Sequence, residues 1–179
     1  MIERSIDCLP ISGVKQLLEI GFGNGAHLPY LFAKAPHLHY IGIERSEAMI
    51  ADATALNTEL VEQGKAVFLH ALTEELPPLP YESFGVCFCV NTYYFITDLR
   101  AYFAQVYSLL RQGGSFVLGA IGKEFGERMP FTKEVFTFYT PEQLQELLLS
   151  VGFTAFDLQT FTEEIPTKRG TTIERPFEV

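Results

Sequence analysis

Short apolar runs alternate with stretches of helical spacing along the whole chain. VKQLLEI (14–20) is an apolar run that predicts a buried strand. Three glycines at alternate positions come after it and lead into a helix ending near Ala35. HYIGIE (39–44) predicts a second strand. Ser46 is placed as the N-cap of a helix running to about Glu62, with Met49, Ile50, Ala53, Leu56 and Leu60 near helical spacing. KAVFLHA (65–71) is a third strand, and LPPLPYES (76–83) is a loop because its prolines break any regular element. SFGVCFCV (83–90) is apolar almost throughout, as a central parallel strand should be. A helix from Asp98 to Leu110, stopped by RQGG (111–114), leads to a fifth strand, SFVLGAIG (115–122). Residues 123–138 read as irregular and aromatic-rich. Thr140 as cap, Pro141 in the first turn and Gly152 as stop bracket a helix over TPEQLQELLLSVGF (140–153). TAFDLQTF (154–161) and TTIERPFEV (171–179) read as two last, antiparallel strands joined through EIPTKRG (164–170).

Such alternation predicts an α/β fold with a mainly parallel sheet. Ligands of these sheets bind beyond the carboxyl ends of the strands, at the switch point, where the glycine loop lies. A chain of 179 residues fits a single domain, 1–179, with a core large enough to need no staples. With 47 % hydrophobic and 20 % charged residues it is an ordinary globular composition. The formal charge of −9, without a run of Lys and Arg, argues against nucleic acid as a partner. No apolar stretch reaches the roughly 18 residues that would cross a membrane, and MIERSIDCLP has no apolar signal-like core. Three cysteines, Cys8, Cys87 and Cys89, without framework spacing suit a reducing compartment, so the cytoplasm is expected.

The loop's chemistry turns on its neighbours. Gly21-x-Gly23-x-x-Ala26, with Glu44 further on, satisfies a dinucleotide fingerprint, so a nicotinamide-dependent reductase stays open on the loop alone. Glu19, two residues before Gly21, pulls the other way. A carboxylate at the mouth of a buried strand is costly unless satisfied. It repels a pyrophosphate and suits a ligand carrying an ammonium group. The chain also leaves no room for a separate substrate domain. Its Tyr-x-x-x-Lys pair, Tyr30 and Lys34, falls on the helix after the loop, where it cannot serve hydride transfer.

LLEIGFGNG resembles the first motif of class I S-adenosylmethionine-dependent methyltransferases, acid-x-Gly-x-Gly-x-Gly. IGIERSEAMI (41–50) is similar to their second motif, and ELPPLPYESFGVCFCVNTYYFI (75–96) to the stretch around their fourth strand. LRAYFAQVYSLLRQGGSFVLGAIG (99–122) resembles their next helix, Gly-Gly turn and fifth strand, and TFYTPEQLQELLLSVGF (137–153) resembles their later helix. The resemblance runs in order over roughly residues 14 to 160 and is nearest to the small-molecule, methyltransferase type 11-like branch. It implies a Rossmann-like three-layer sandwich: a seven-stranded sheet, the last strand antiparallel, with helices on both faces. It implies S-adenosyl-L-methionine as cofactor, held by Glu19, Gly21, Gly23, Gly25, Glu44, Arg45, Leu72 and Asn91. The reaction implied is methyl transfer to a small-molecule acceptor by in-line displacement.

Two positions depart from the pattern. Where members often carry an acid for the adenine amino group, this chain has Ala71 or Leu72, with Glu74 and Glu75 slightly later. Adenine would then be held by backbone groups and apolar contact. Phe84-Gly85 replaces the frequent Phe-Asp. The first departure keeps a third reading alive, a non-catalytic S-adenosylmethionine-binding module.

Within this frame, Glu19 orients the glycine loop through its N–H groups or meets the ammonium end of the cofactor. Glu44, an acceptor-only carboxylate, suits two adjacent ribose hydroxyls. Asn91 is placed to touch the methionine end or the substrate, or else is a turn residue. Tyr93, Tyr94 and Phe95, with Phe125, Met129, Phe131, Phe136, Phe138 and Tyr139, could roof the site, exclude water and meet a sulfonium by cation–π contact, although about half of them would serve as ordinary core. Cys87 and Cys89 share one face of a strand, and two ligands make no zinc site, so no metal is expected. His37 and His39 are expected at the surface. No residue stands out as a general base; His27, Tyr93, Tyr94 and Tyr139 are candidates by position. The site is open, or covered by the lid-like residues 123–138 or by a second subunit in a homodimer.

Overall fold

The computed structural model describes residues 1–72, 75–129, 132, 135–166 and 170–179. Glu74 and Phe131 lie outside the described residues.

The elements in chain order are α1 (Ile2–Asp7), β1 (Gln16–Ile20), α2 (Leu28–Lys34), β2 (His39–Glu44), α3 (Glu47–Leu56), α4 (Thr58–Glu62), β3 (Ala66–His70), β4 (Phe84–Val90), a 3₁₀ turn (Tyr93–Phe95), α5 (Leu99–Leu109), β5 (Leu110–Ile121), α6 (Lys123–Glu127), α7 (Pro141–Val151), β6 (Thr160–Pro166) and β7 (Thr172–Glu178). The strands form one seven-stranded sheet in the order β3-β2-β1-β4-β5-β7-β6. Pairings from β3 through β5 are parallel, and β7 pairs antiparallel with both β5 and β6. One strand, β7, therefore runs against the rest. The chain order reverses between β1 and β4, which places the switch point there, beside the glycine loop.

The parallel centre is buried on both faces, as its apolar runs require. One face collects Leu18, Ile20, Cys87, Cys89, Phe103 and Val106 against α5; the other collects Leu17, Phe22, Leu28, Leu31, Val86 and Phe88 against α2. At α7 the Thr140 side chain accepts from the Gln143 amide while Gln143 reaches back to the Thr140 amide, and Gly152 ends the helix in the left-handed region.

The structure corrects several boundaries. The helix expected over 46–62 is two helices, broken at Asn57. RQGG (111–114) does not stop a helix in free loop. α5 ends at Leu109, and the four residues lie inside β5 at a bulge opposite Phe84 and Val86, with Gly113 in the left-handed region. A Cβ at Gly114 would crowd the carbonyls of Phe84 and Gly85 at 3.0 and 3.2 Å, so close backbone approach explains that glycine. The strand expected at 154–161 begins only at Thr160 and continues into the segment expected as a connection. Its register with β7, Thr160↔Glu178 to Pro166↔Thr172, leaves 154–158 beyond the ladder. α1, α6 and the 3₁₀ turn have no counterpart in the sequence pattern, because each is too short to show periodicity.

Candidate active site

β1 delivers Glu19 to the switch point and β2 delivers Glu44 beside it. Both acids are buried. Glu44 spends its carboxylate on backbone amides: Oε2 accepts from Gly23 at 3.0 Å, and Oε1 from Arg45 at 2.9 Å and Ser46 at 3.0 Å. A carboxylate offers about four lone-pair sites, so capacity for a further donor remains. Glu44, not Glu19, is the acid that holds the loop through an N–H group.

Glu19 is 1 % exposed. Its Oε2 accepts from the Tyr40 hydroxyl at 2.6 Å and meets His27 Nε2 at 2.7 Å. Burial alone pulls the His27 pKa down, but the Glu19 charge and hydrogen bond more than reverse this and hold it above the ordinary histidine range. Burial and the same carboxylate push the Tyr40 phenol far up, so it stays a donor.

Gly21, Gly23 and Gly25 all have positive φ, at 79°, 61° and 64°. Their surroundings differ. A Cβ at Gly21 would lie 2.2 Å from Thr92 Cγ2, one at Gly25 would press on Ala53 and Asn57, and one at Gly23 would meet nothing within 4 Å. The loop is thus packed at both ends and open in the middle. Asn57, at the break between α3 and α4, donates from Nδ2 to the Gly25 carbonyl at 3.1 Å and to Ala53 at 2.9 Å.

The remaining predicted positions follow the ends of β2, β3 and β4 or precede α7. Arg45 is exposed; its carbonyl meets His70 Nε2 at 3.0 Å. Leu72 is 53 % exposed, one residue after Ala71, whose amide donates to the Glu44 carbonyl at 3.1 Å. Asn91 ends β4 with a left-handed φ of 57°. Its Oδ1 accepts from Tyr94 Oη at 3.0 Å, and Tyr94 Oη in turn accepts from the Ile121 amide at 2.6 Å. Tyr93 is buried, and its hydroxyl accepts from the Tyr139 amide at 3.4 Å. Burial pushes the Tyr93 phenol up to about 12 and Tyr94 higher still, which keeps both protonated near neutrality. Tyr139 is half-buried.

Tyr94 stacks on Phe136 at 5.7 Å and tilts against Phe138 at 4.8 Å, while Phe95 meets Phe136 edge-on at 4.5 Å. Phe138 lies on Gly126 of α6, where a Cβ would be 2.3 Å from its ring. Residues 93–95 and 136–139 therefore form one aromatic layer. His37 and His39 are exposed. Cys87 and Cys89 are buried free thiols, Cys89 pushed up to about 11 by burial, and among the described residues no cluster could hold a metal. Tyr30 and Lys34 both bind Asp7 of α1, each at 2.7 Å, so this pair is a link between two helices.

Sequence reasoning missed Tyr40, Asn57 and Gly42. Gly42 carried a signal, since a glycine inside a strand pattern marks close approach. A Cβ there would sit 2.6 Å from Phe22 Cδ1 and 2.9 Å from Tyr40 Oη.

A strand, a glycine loop opening on a helix, and an acid at the end of the next strand are the arrangement that Rossmann-type folds present at their switch point. The model of the methyltransferase-domain family matches residues 18–118. The chain belongs to this family, as a class I S-adenosylmethionine-dependent methyltransferase. No curated protein matches the sequence. Solved structures with the same fold include a Haloferax volcanii complex containing the Trm112 methyltransferase activator (15 % identity, 99 % of this chain and 88 % of that one, TM-score 0.77). An S-adenosylmethionine-dependent methyltransferase from Mesorhizobium loti is similar at 18 % identity, 98 % and 96 % coverage and TM-score 0.73. The YcgJ protein of Bacillus subtilis is similar at 17 % identity, 99 % and 92 % coverage and TM-score 0.72.

Proposed function

We propose that this chain transfers the methyl group of S-adenosylmethionine to a small-molecule acceptor. The observation that carries the reading is the glycine loop held by Glu44 at Gly23 while the space at Gly23 stays open. A ligand with adjacent hydroxyls fits this arrangement: Glu44 accepts, and the bare loop permits close approach. Leu72 offers exposed apolar surface next to Glu44's strand end, which supports apolar contact with adenine in place of the missing acid. When bound, the cofactor supplies a methyl group activated on a sulfonium.

The chain's own part is binding, alignment and exclusion of water. Glu44 and the loop hold the nucleoside end, and Glu19 faces the amino-acid end. The described residues of 123–138, namely 123–129, 132 and 135–138, act as a lid-like segment within a single domain, and the aromatic layer of Tyr94, Phe136 and Phe138 borders the site as its roof; the rest of that segment lies outside the described residues. Tyr93 and Tyr94 serve as donors rather than bases, because burial keeps them protonated. The acidic surface favours a small acceptor over nucleic acid. Among the described residues no helix is long and apolar enough to cross a membrane. Free cysteines support a reducing compartment, for which we propose the cytoplasm.

The test is calorimetric titration with S-adenosylhomocysteine, using wild type and Glu44→Ala, with NADH as control. Wild type should bind S-adenosylhomocysteine and ignore NADH. Loss of a charge-assisted acceptor worth about 1.5–3 kcal/mol should weaken binding about 10- to 100-fold in the variant. Binding of NADH with indifference to S-adenosylhomocysteine would overturn the reading.

A further inference from the structure

Glu19 is an expensive residue to place where it stands. It lies on a central strand, almost without solvent, and an unpaired carboxylate there would cost several kcal/mol. Two donors from two other parts of the chain meet the cost, and both converge on one oxygen, Oε2. Tyr40 comes from β2 at 2.6 Å, and His27 from the cap position of α2 at 2.7 Å. Neither bond uses Oε1.

The route of the Tyr40 side chain explains a glycine. Glu19 pairs with Gly42 in the sheet register. Tyr40 and Gly42 share a strand face, so the tyrosine must pass over position 42 to reach Glu19. A side chain at 42 would block it, since a Cβ would lie 2.9 Å from the hydroxyl. The ring is fixed from its other side by Phe68, edge-on at 6.1 Å, which itself packs on Phe22 of the glycine loop at 4.9 Å. Gly42, Phe22 and Phe68 thus form a slot that fixes where the Tyr40 hydroxyl ends.

We infer that Tyr40 and His27 are positioning residues: by holding Oε2 of Glu19 they aim its Oε1 at the ammonium end of the bound cofactor. The inference rests on the methyltransferase reading above and deepens it. Two anchors on one oxygen fix the carboxylate's rotation, which a single hydrogen bond would leave free. They also divide the labour at the switch point. Glu44 serves the nucleoside through the loop, and the Glu19 set serves the amino-acid end, so each can be weakened separately.

The experiment compares two ligands that share adenosine. S-adenosylhomocysteine carries the amino-acid end; 5′-methylthioadenosine lacks it. Tyr40→Phe removes one hydroxyl and keeps the ring. His27→Gln keeps a donor but no charge. Both variants, with wild type, are titrated calorimetrically with each ligand, and their thermal midpoints are recorded. The expected result is a loss of about tenfold for S-adenosylhomocysteine in Tyr40→Phe, a smaller loss in His27→Gln, and unchanged 5′-methylthioadenosine affinity in both. An equal loss for both ligands would overturn the inference in favour of a role in loop shape alone. Unchanged affinity for S-adenosylhomocysteine would overturn it outright. If Tyr40→Phe does not fold, His27→Gln decides by the same comparison. Wild type that binds neither ligand would overturn the methyltransferase reading and this inference with it, an outcome distinct from the others.

Discussion

Asn57 donates to the carbonyl of Gly25 at 3.1 Å, joining the break between two helices to the end of a loop 32 positions earlier. The same amide nitrogen donates to Ala53 at 2.9 Å. One buried side chain thus ends α3 and fixes the glycine loop. Asn57→Ala removes both side-chain hydrogen bonds, each worth about 0.5–1.5 kcal/mol, while the Gly25 carbonyl keeps the Leu28 amide and the Ala53 carbonyl keeps the Asn57 amide. The expected outcome is a lower urea midpoint with unchanged slope, together with weaker uptake of S-adenosylhomocysteine.

Gly21→Ala and Gly23→Ala should separate stability from binding. Both positions have positive φ, which costs an L residue about 1–2 kcal/mol. At Gly21 the new methyl also meets Thr92 Cγ2 at 2.2 Å, whereas at Gly23 it meets nothing within 4 Å. Thermal melts should show the larger loss for Gly21→Ala. Titration should show that Gly23→Ala, the better folded of the two, has nonetheless lost ligand affinity, because its methyl fills the space left for the ligand.

The His27–Glu19 pair makes stability depend on pH in a stated direction. The folded-state pKa of His27 lies above its unfolded value, raised by Glu19 against the effect of burial. Its contribution is therefore full below the unfolded pKa of about 6.5 and is lost as pH rises through the folded pKa. Urea unfolding at a series of pH values should show a fall in midpoint on the alkaline side of the ordinary histidine range. His27→Gln should flatten that part of the profile. A wild-type midpoint that rises across it would contradict the pairing.

Tyr94→Phe tests the roof. The hydroxyl links the Ile121 amide to the Asn91 side chain, and Asn91 holds a left-handed turn at the end of β4. Phenylalanine keeps the stacking on Phe136 but leaves a buried amide unpaired, for about 1–3 kcal/mol. Chemical denaturation measures that loss directly, and an unchanged midpoint would show that the link contributes nothing.

The legible part of the fold was the part with strong local signals. The alternation of apolar runs with helical spacing placed the five parallel strands from β1 to β5, and Thr140, Pro141 and Gly152 marked α7 at both ends. The glycines and the two acids marked the switch point. Less legible was whatever depends on a partner distant in sequence. RQGG looks like a helix stop, yet the pairing of Leu110 with Phe84 draws it into β5. The start of β6 is set by its register with β7, which composition does not carry. A buried Glu19 needs partners on chemical grounds alone, but Tyr40 and His27 are revealed as those partners only when β2 and the cap of α2 are brought beside it. Asn57 gave no sign because a single asparagine amid helical spacing carries none.

The β6–β7 hairpin has an unequal attachment. It is paired internally at seven positions, but its ladder to β5 has two, Ala120↔Glu178 and Ile121↔Phe177. Phe177, in the second of these pairs, is wholly buried, and outside the ladder the Met1 ammonium meets Glu163, which also takes Arg175. The hairpin and the parallel centre are therefore expected to open as two cooperative units sharing a narrow seam. Amide exchange should reveal them as such, with the β6 and β7 amides gaining deuterium together through one sub-global opening, well before those of β1 and β4. Raising ionic strength should hasten the first group alone, since it is the one held by ion pairs at its edge.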